Sequence, residues 1–317
     1  MHKAPRLLIA AMGTVLLAVF LTIVVPAGAV VPGANGRIVF TRVVRTSSCV
    51  QRIVAADPND TNERVLAAYP CDDLLTPNWS PDGSTVVFAT MGAVWAVNAD
   101  GSGLRQLIAC AVGDTYCFGF GGPTFTPDGK HIVTEHCCEP GIGDALYIMN
   151  ADGTGLQDLT KEPGDFADTG PQVSPDGKRI VFNRCAPPDG HPCTVETVKI
   201  NGENMRRLTD PALDTDNPNW SPDAAKIVFT MQPATGAVDL ATINSHGSGF
   251  TQLTFNTPGT AASFQASFAP DGTKILFAHY PSTGGVDLYR MNPDGTGTSQ
   301  VTRTANDEFE PEWAAAR

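Results

Sequence analysis

An all-β ring of six four-stranded blades is the fold class this sequence predicts, and three observations predict it. First, a Pro-Asp turn recurs at Pro81, Pro127, Pro175, Pro222 and Pro270, at intervals of 46, 48, 47 and 48 residues. A fixed period of that length marks an array of similar supersecondary units. Second, each copy places this turn between short β-branched and aromatic runs and adds a second hairpin signal of the Asn-Ala-Asp-Gly kind further on. Third, the two ends are complementary fragments. "GANGRIVFTR" is the second strand of a unit without its first, and "FEPEWAAAR" is a first strand without its second. Pro311, Trp313 and Ala315 fall where Pro77, Trp79 and Pro81 fall in the second unit. Pairing the last strand with the first closes a six-bladed β-propeller over residues 33–317 and removes the open edges an array would expose.

In chain order, the first element is the segment 1–29. Lys3 and Arg6 precede an apolar run from Leu7 to Val25 and the small residues Ala27-Gly28-Ala29. That is the layout of a secretory signal cleaved after Ala29. At 19 residues the run is also long enough to span a bilayer as an uncleaved anchor. Either reading makes the chain extracytoplasmic, secreted or held at the cell envelope. Removing the segment takes away two cations and no acid, so the formal charge moves from -12 to -14. A nucleic-acid binder needs a basic stripe to displace counterions, so nucleic acid is excluded as the partner, and the acidic balance suits a soluble monomer.

Each unit then supplies four strands. Strand A ends at the turn proline, strand B is the "IVF"-type run, strand C reads like "LYIMN", and strand D like "RRLT". Proline pre-sets φ in the A–B turn, and Gly83, Gly129, Gly177 and Gly272 can take the left-handed conformation that closes it. Ala224 holds that slot in the fourth copy, so its turn is expected to be strained or loose. Two slots recur once per blade: Trp79, Phe125, Val173, Trp220, Phe268 and Trp313 before the turn, and Phe40, Phe88, Thr134, Phe182, Phe229 and Phe277 after it. An aromatic repeated in every blade is packing between blades, not a platform for a ligand.

Up-and-down strands put the A–B and C–D turns on one face and the B–C and D–A connections on the other. On the first face Asp82, Asp128, Asp176, Asp223 and Asp271 are expected to cap their own turns. The other face receives everything irregular, including all eight cysteines. An even count in an exported chain favours disulfides. Cys110 with Cys117 and Cys185 with Cys193 are the short-range pairs, and Cys49 with Cys71 joins two loops of the first blade. Cys137 and Cys138 are adjacent and could bridge, stay reduced or exchange partners. His136 with these two, and His191 in "DGHPC", invite a metal reading, but no Cys-x2-4-Cys or His-x3-5-His spacing supports a structural zinc site.

The D–A connections also carry acids to the mouth of the channel: Asp73, Asp168, Asp214, Asp216, Asp307, Glu308 and Glu310 are expected a few residues ahead of strand A, the strand nearest the axis. Carboxylates around a funnel mouth could hold a hard cation such as calcium or attract a basic peptide. No cofactor is otherwise indicated. The sequence has no Gly-x-Ser-x-Gly, His-Glu-x-x-His or Gly-x-x-x-x-Gly-Lys motif. The expected function is therefore a non-catalytic binding module. Metal-assisted lyase or hydrolase chemistry at the acidic mouth, and a membrane-attached scaffold, are the alternatives.

The pattern "P-x-W-S-P-D-G-x-x-I-V-F … N-A-D-G-S-G-x-R-Q-L-T" resembles the WD-repeat-like units of TolB-type six-bladed propellers, over about Gly33 to Arg317. The resemblance implies an envelope protein that docks partners, including extended peptides entering the channel. TolB carries an α/β domain before its propeller, which this chain is expected to lack.

Overall fold

In the computed structural model, which describes residues 32–45, 49–71, 75–90, 92–110, 119–137, 144–160, 166–187 and 191–316, the chain forms six four-stranded antiparallel sheets. The segment 1–29, Asp73, Cys117 and Cys138 lie outside the described residues. Blade 1 is strand A Asp307–Ala315, B Asn35–Arg45, C Cys49–Ala56 and D Arg64–Pro70. Blade 2 follows with Asn78–Trp79, Thr85–Thr90, Ala93–Asn98 and Arg105–Ala109. Blade 3 uses Gly119–Phe125, His131–Cys137, Ala145–Asn150 and Gln157–Asp158. Blade 4 uses Ala167–Val173, Arg179–Cys185, Cys193–Lys199 and Arg206–Arg207. Blade 5 is Thr215–Trp220, Lys226–Met231, Asp239–Asn244 and Thr251–Gln252. Blade 6 is Ala262–Phe268, Ile275–Tyr280, Asp287–Met291 and Ser299–Gln300.

The ring closes as the chain ends require. Strand A of blade 1 comes from the C-terminus and pairs antiparallel with strand B from the N-terminus, with Ile38 opposite Trp313 and Arg42 opposite Glu308. Both recurring slots are buried in every blade. Each residue before the turn packs on the preceding blade: Trp79 against Val39 and Ile53, Phe125 against Val87 and Val94, Trp220 against Val181 and Val195, Trp313 against Leu276 and Ala278. The core is thus six inter-blade layers rather than one central mass.

The turns have local causes. In the first A–B turn the Gly83 amide donates to the Ser80 carbonyl at 2.8 Å, while the Asp82 carboxylate accepts from the Ser84 amide at 3.0 Å. Asp128, Asp176, Asp223 and Asp271 repeat this acceptance from the amide two residues on. The Ser221 hydroxyl holds the Asp223 carboxyl below the usual carboxylate range. Ala224 makes the same turn as the glycines, with φ at 57°, so it is the strained copy and not the loose one. The C–D turns press on the neighbouring blade. A Cβ on Gly153 would lie 2.2 Å from the Leu107 carbonyl oxygen, so only glycine lets that turn seat.

Candidate functional site: the axial channel

Strand A of each blade lines the axis, and in five blades it is interrupted at one place. The ladder between strands A and B slips at Gly121/Thr124, Thr169/Gln172, Asp216/Asn219 and Phe264/Ser267, and on the partner side at Val39/Thr41 in blade 1. At each slip one residue takes a left-handed backbone: Gly122 (φ 48°), Gly170 (59°), Asn217 (48°), Gln265 (52°) and Glu310 (51°). A bulge of this kind bends the strand and re-aims side chains. For Gln265 and Glu310 the conformation costs of order 1–2 kcal/mol each, because a Cβ crowds the following carbonyl.

Neighbouring blades hold the bulges in place. The Gly122 amide donates to Thr76 Oγ1 at 3.2 Å, and the Gly170 amide to Glu135 Oε2 at 2.6 Å. The Gln265 amide reaches Thr230 Oγ1 at 3.1 Å, and the Glu310 amide reaches Gln265 Oε1 at 3.2 Å. The Gln265 amide group also donates to the Glu310 carboxylate. Four of the five bulges are thus held by the preceding blade, while the Asn217 amide donates to Asp216 of its own strand at 2.8 Å.

The bulges enclose an axial cavity of about 270 Å³. Four carboxylates line it, Glu135, Asp216, Glu310 and Glu312, and no Lys, Arg or His is among its described lining residues. Restricted solvation raises all four, and the charge of neighbouring carboxylates adds to it. Burial, then the Asp216 and Glu135 charges, push Glu310 up to about 8. Burial and then Glu310 push Glu312 to about 8, against the hydrogen bond it accepts from Asn219 Nδ2 at 2.9 Å. Glu135 rises to about 7, chiefly from burial. Burial also raises Asp216, although it accepts from Asn183 Nδ2 at 2.8 Å and keeps surface on the bore. The channel therefore gathers carboxyl groups with no counter-charge among its described lining residues and with proton affinities raised to neutrality or above.

Of the seven acids singled out from sequence, Asp216 and Glu310 line this cavity, and Asp73 lies outside the described residues. The other four have partners elsewhere. Asp168 is buried against Arg184, with Nε to Oδ1 at 2.7 Å, and Glu308 is buried against Arg42 Nε at 2.8 Å. These are the same cross-strand position in two blades. Arg42 also holds Glu63 in a two-pronged contact, each prong 2.7 Å. Asp307 caps the Val286 amide at 3.0 Å and meets Arg45 at 3.0 Å. Asp214 accepts from the Cys193 amide at 2.9 Å and His191 Nδ1 at 3.0 Å. Asp214 and Asp307 are thus structural caps rather than free carboxylates pointing to water.

Glu135 and Glu312 escaped the sequence reading, because it gathered acids from the D–A connections. Glu135 stands on strand B of blade 3, and Glu312 follows the slot proline of strand A. Residues flanking that slot find part of the lining, Thr76/Asn78, Gly122, Gly170/Gln172, Asn217/Asn219, Gln265 and Glu310/Glu312, whereas Thr124 and Ser267 at the matching positions are buried away from the cavity and Glu135 and Asp216 stand outside the pattern.

The cysteines on the irregular face form Cys49–Cys71 and Cys185–Cys193, and Cys110 is also disulfide-bonded. His136 stacks on Phe120 at 4.1 Å and its Nδ1 lies 2.8 Å from the Gly119 carbonyl. Among the described residues, the one group of three donors that could converge on an ion is His191, Cys193 and Asp214, not the channel acids.

A family model described as the TolB beta propeller domain matches residues 33–317. The Tol-Pal system protein TolB of Anaeromyxobacter sp. is 27% identical over 124 residues, which is 38% of this chain and 26% of that protein. The match spans about a quarter of the relative's length. Among solved structures, TolB from Acinetobacter baumannii superposes with a TM-score of 0.69 at 20% identity, over 90% of this chain and 68% of that one. Kuenenia stuttgartiensis hydrazine synthase gives 0.67 at 18% identity, over 90% and 47%. At these identities the two structures speak to fold alone.

Proposed function

The chain belongs to the TolB β-propeller domain family, and from that membership we propose that it is a non-catalytic, extracytoplasmic docking module whose axial channel receives a positively charged segment of a protein partner. The observation that carries the reading is the uncompensated charge of the bore: Glu135, Asp216, Glu310 and Glu312 line about 270 Å³ with no described cation among them. A lysine or arginine side chain entering there supplies the missing counter-charge and displaces the protons that the raised carboxyls retain. Disulfides on the irregular face fit an oxidising compartment, as does the signal-like segment 1–29.

An extended segment suits the bore better than a single calcium ion. Calcium needs six to eight oxygens at 2.3–2.6 Å, roughly, whereas no three channel carboxylates among the described residues converge within 4.8 Å. The lyase or hydrolase alternative would have to draw on the same four channel acids, and among the described residues no Ser, Cys or His lines the cavity beside them.

The test is capture from an envelope extract on the immobilised mature chain, followed by elution with salt. A partner that elutes with salt and cross-links to strand A supports the reading. A partner retained equally by Glu310→Gln/Glu312→Gln refutes channel docking. Calcium raising the melting temperature of the parent, but not of that variant, would move the reading to an ion site.

A further inference from the structure

The corner where the B–C hairpin of blade 4 meets the D–A connection to blade 5 carries four potential metal ligands. Cys185 and Cys193 stand directly opposite in the B–C ladder and are joined as a disulfide. His191 lies on the same hairpin and is exposed, and Asp214 reaches across from the neighbouring connection. Donor atoms of His191, Cys193 and Asp214 lie within 4.8 Å of one another, and Cys185 Sγ is bonded to Cys193 Sγ.

The backbone fixes these groups before any ion arrives. Asp214 has a left-handed backbone (φ 44°) at the end of the short 3-10 turn Pro211–Leu213. Its Oδ1 accepts from the Cys193 amide at 2.9 Å and His191 Nδ1 at 3.0 Å, while Oδ2 makes no hydrogen bond to a described residue. His191 Nδ1 and Asp214 Oδ1 already lie 3.0 Å apart, close to the spacing of two ligand atoms on one ion, so an ion at this corner would take Nδ1 in place of the proton the two share, and that proton moves to Nε2.

We propose that these four side chains have two states: a disulfide staple under oxidising conditions and, after reduction, a site of two cysteines, one histidine and one aspartate for a borderline divalent ion of the zinc class. In the first state the sulfurs are bonded to each other and only His191 and Asp214 remain as donors. A dithiol reductant supplies two electrons and two protons, becomes a disulfide itself, and leaves Cys185 and Cys193 as thiols. Zinc binding then releases both thiol protons to water, giving two thiolates, one imidazole and one carboxylate, a donor set that suits tetrahedral zinc. Asp214 ties the hairpin to the connection in both states, through its hydrogen bonds to the Cys193 amide and His191 in the first and through the ion in the second, so the corner stays closed on both sides of the redox change.

The test uses the full mature chain reduced with a phosphine, which does not compete for zinc as a dithiol does. Alkylation is followed cysteine by cysteine by peptide mass spectrometry, with and without zinc. Zinc should slow alkylation of Cys185 and Cys193 at least about tenfold, reversibly with a chelator, and leave Cys49 and Cys71 unchanged. His191→Ala, at an exposed position, should raise the zinc concentration needed for protection by at least about tenfold, since losing a ligand costs no less than losing the partner that orients one, without changing the melt of the oxidised protein. Equal alkylation of Cys193 with and without zinc overturns the proposal, as does protection indifferent to His191→Ala. Loss of the folded transition on reduction overturns it too, because only the folded corner assembles donors from two loops.

Discussion

Replacing Glu310 with glutamine should make the protein more stable at pH 8.5 and leave it unchanged near pH 4.5. Burial and the Asp216 and Glu135 charges raise the folded-state carboxyl from its ordinary 4.5 to about 8, while the unfolded chain keeps the ordinary value. Below about pH 4.5 both states hold the proton and the charge costs nothing. Between there and about 8 the folded chain retains a proton that the unfolded chain has released, so stability falls as pH rises. Above 8 both states are ionised and the loss is complete. Each pKa unit is worth about 1.4 kcal/mol, so a sealed site would lose roughly 5 kcal/mol. Glu310 opens onto the bore, where water screens the repulsion, and about 1–2 kcal/mol is expected. Glutamine keeps the oxygen that accepts from Gln265, and it relieves Glu312, whose carboxyl feels the Glu310 charge. Urea melts from pH 4.5 to 9 measure the effect. Parallel pH profiles for parent and variant would refute the account of the channel as a gathering of carboxyl groups with raised proton affinities.

Three further outcomes follow from the fold. Ala224→Gly should stabilise by about 1 kcal/mol, read as a rise of a few degrees in melting temperature, because φ of 57° strains a Cβ; a lower melting temperature would mean that the Ala224 side chain packs more than it strains. Deleting Phe309 to Arg317 removes strand A of blade 1 and the Trp313 layer, so the truncated chain should aggregate, whereas a soluble product melting like the parent would contradict ring closure. Arg42→Leu strands the fully buried Glu308 carboxylate and should cost about 3–5 kcal/mol in a denaturant melt at pH 8, and a change under about 1 kcal/mol would show that the pair is dispensable.

Why the fold was legible and the site less so comes down to periodicity. The turn prolines, the Trp79-type slot and the Phe40-type slot repeat in every blade because each blade must bury the same face against its neighbour. The end fragments declared the closure for the same reason. Much of the channel lining is written in the same register, beside Pro77, Pro123, Pro171, Pro218, Ala266 and Pro311, but its side chains vary, and the acids Glu135 and Asp216 stand outside that register. Two physical facts stayed hidden. The left-handed bulge at Gln265 and Glu310 breaks the simple in/out alternation of strand A, and no propensity rule places such a conformation on those residue types. The cross-strand position was also unreadable. An acid at Asp168 or Glu308 looks free in a connection until Arg184 and Arg42 are seen opposite on strand B. Asp214 and Asp307 read as mouth acids because a cap and a ligand use the same residue type.

The most direct test of channel docking is a fluorescence-anisotropy titration of a labelled, lysine-rich extended peptide into the oxidised propeller of residues 33–317, at low and physiological salt and at pH 6 and 8.5. The account expects binding to be tighter at pH 8.5, where Glu135, Glu310 and Glu312 have lost the protons that burial helped them keep, and to weaken with salt. Glu310→Gln/Glu312→Gln should lose most of the affinity while melting at least as high as the parent. Peptide binding that is independent of pH between 6 and 8.5, and equal in parent and variant, would contradict the claim that these carboxylates receive the partner.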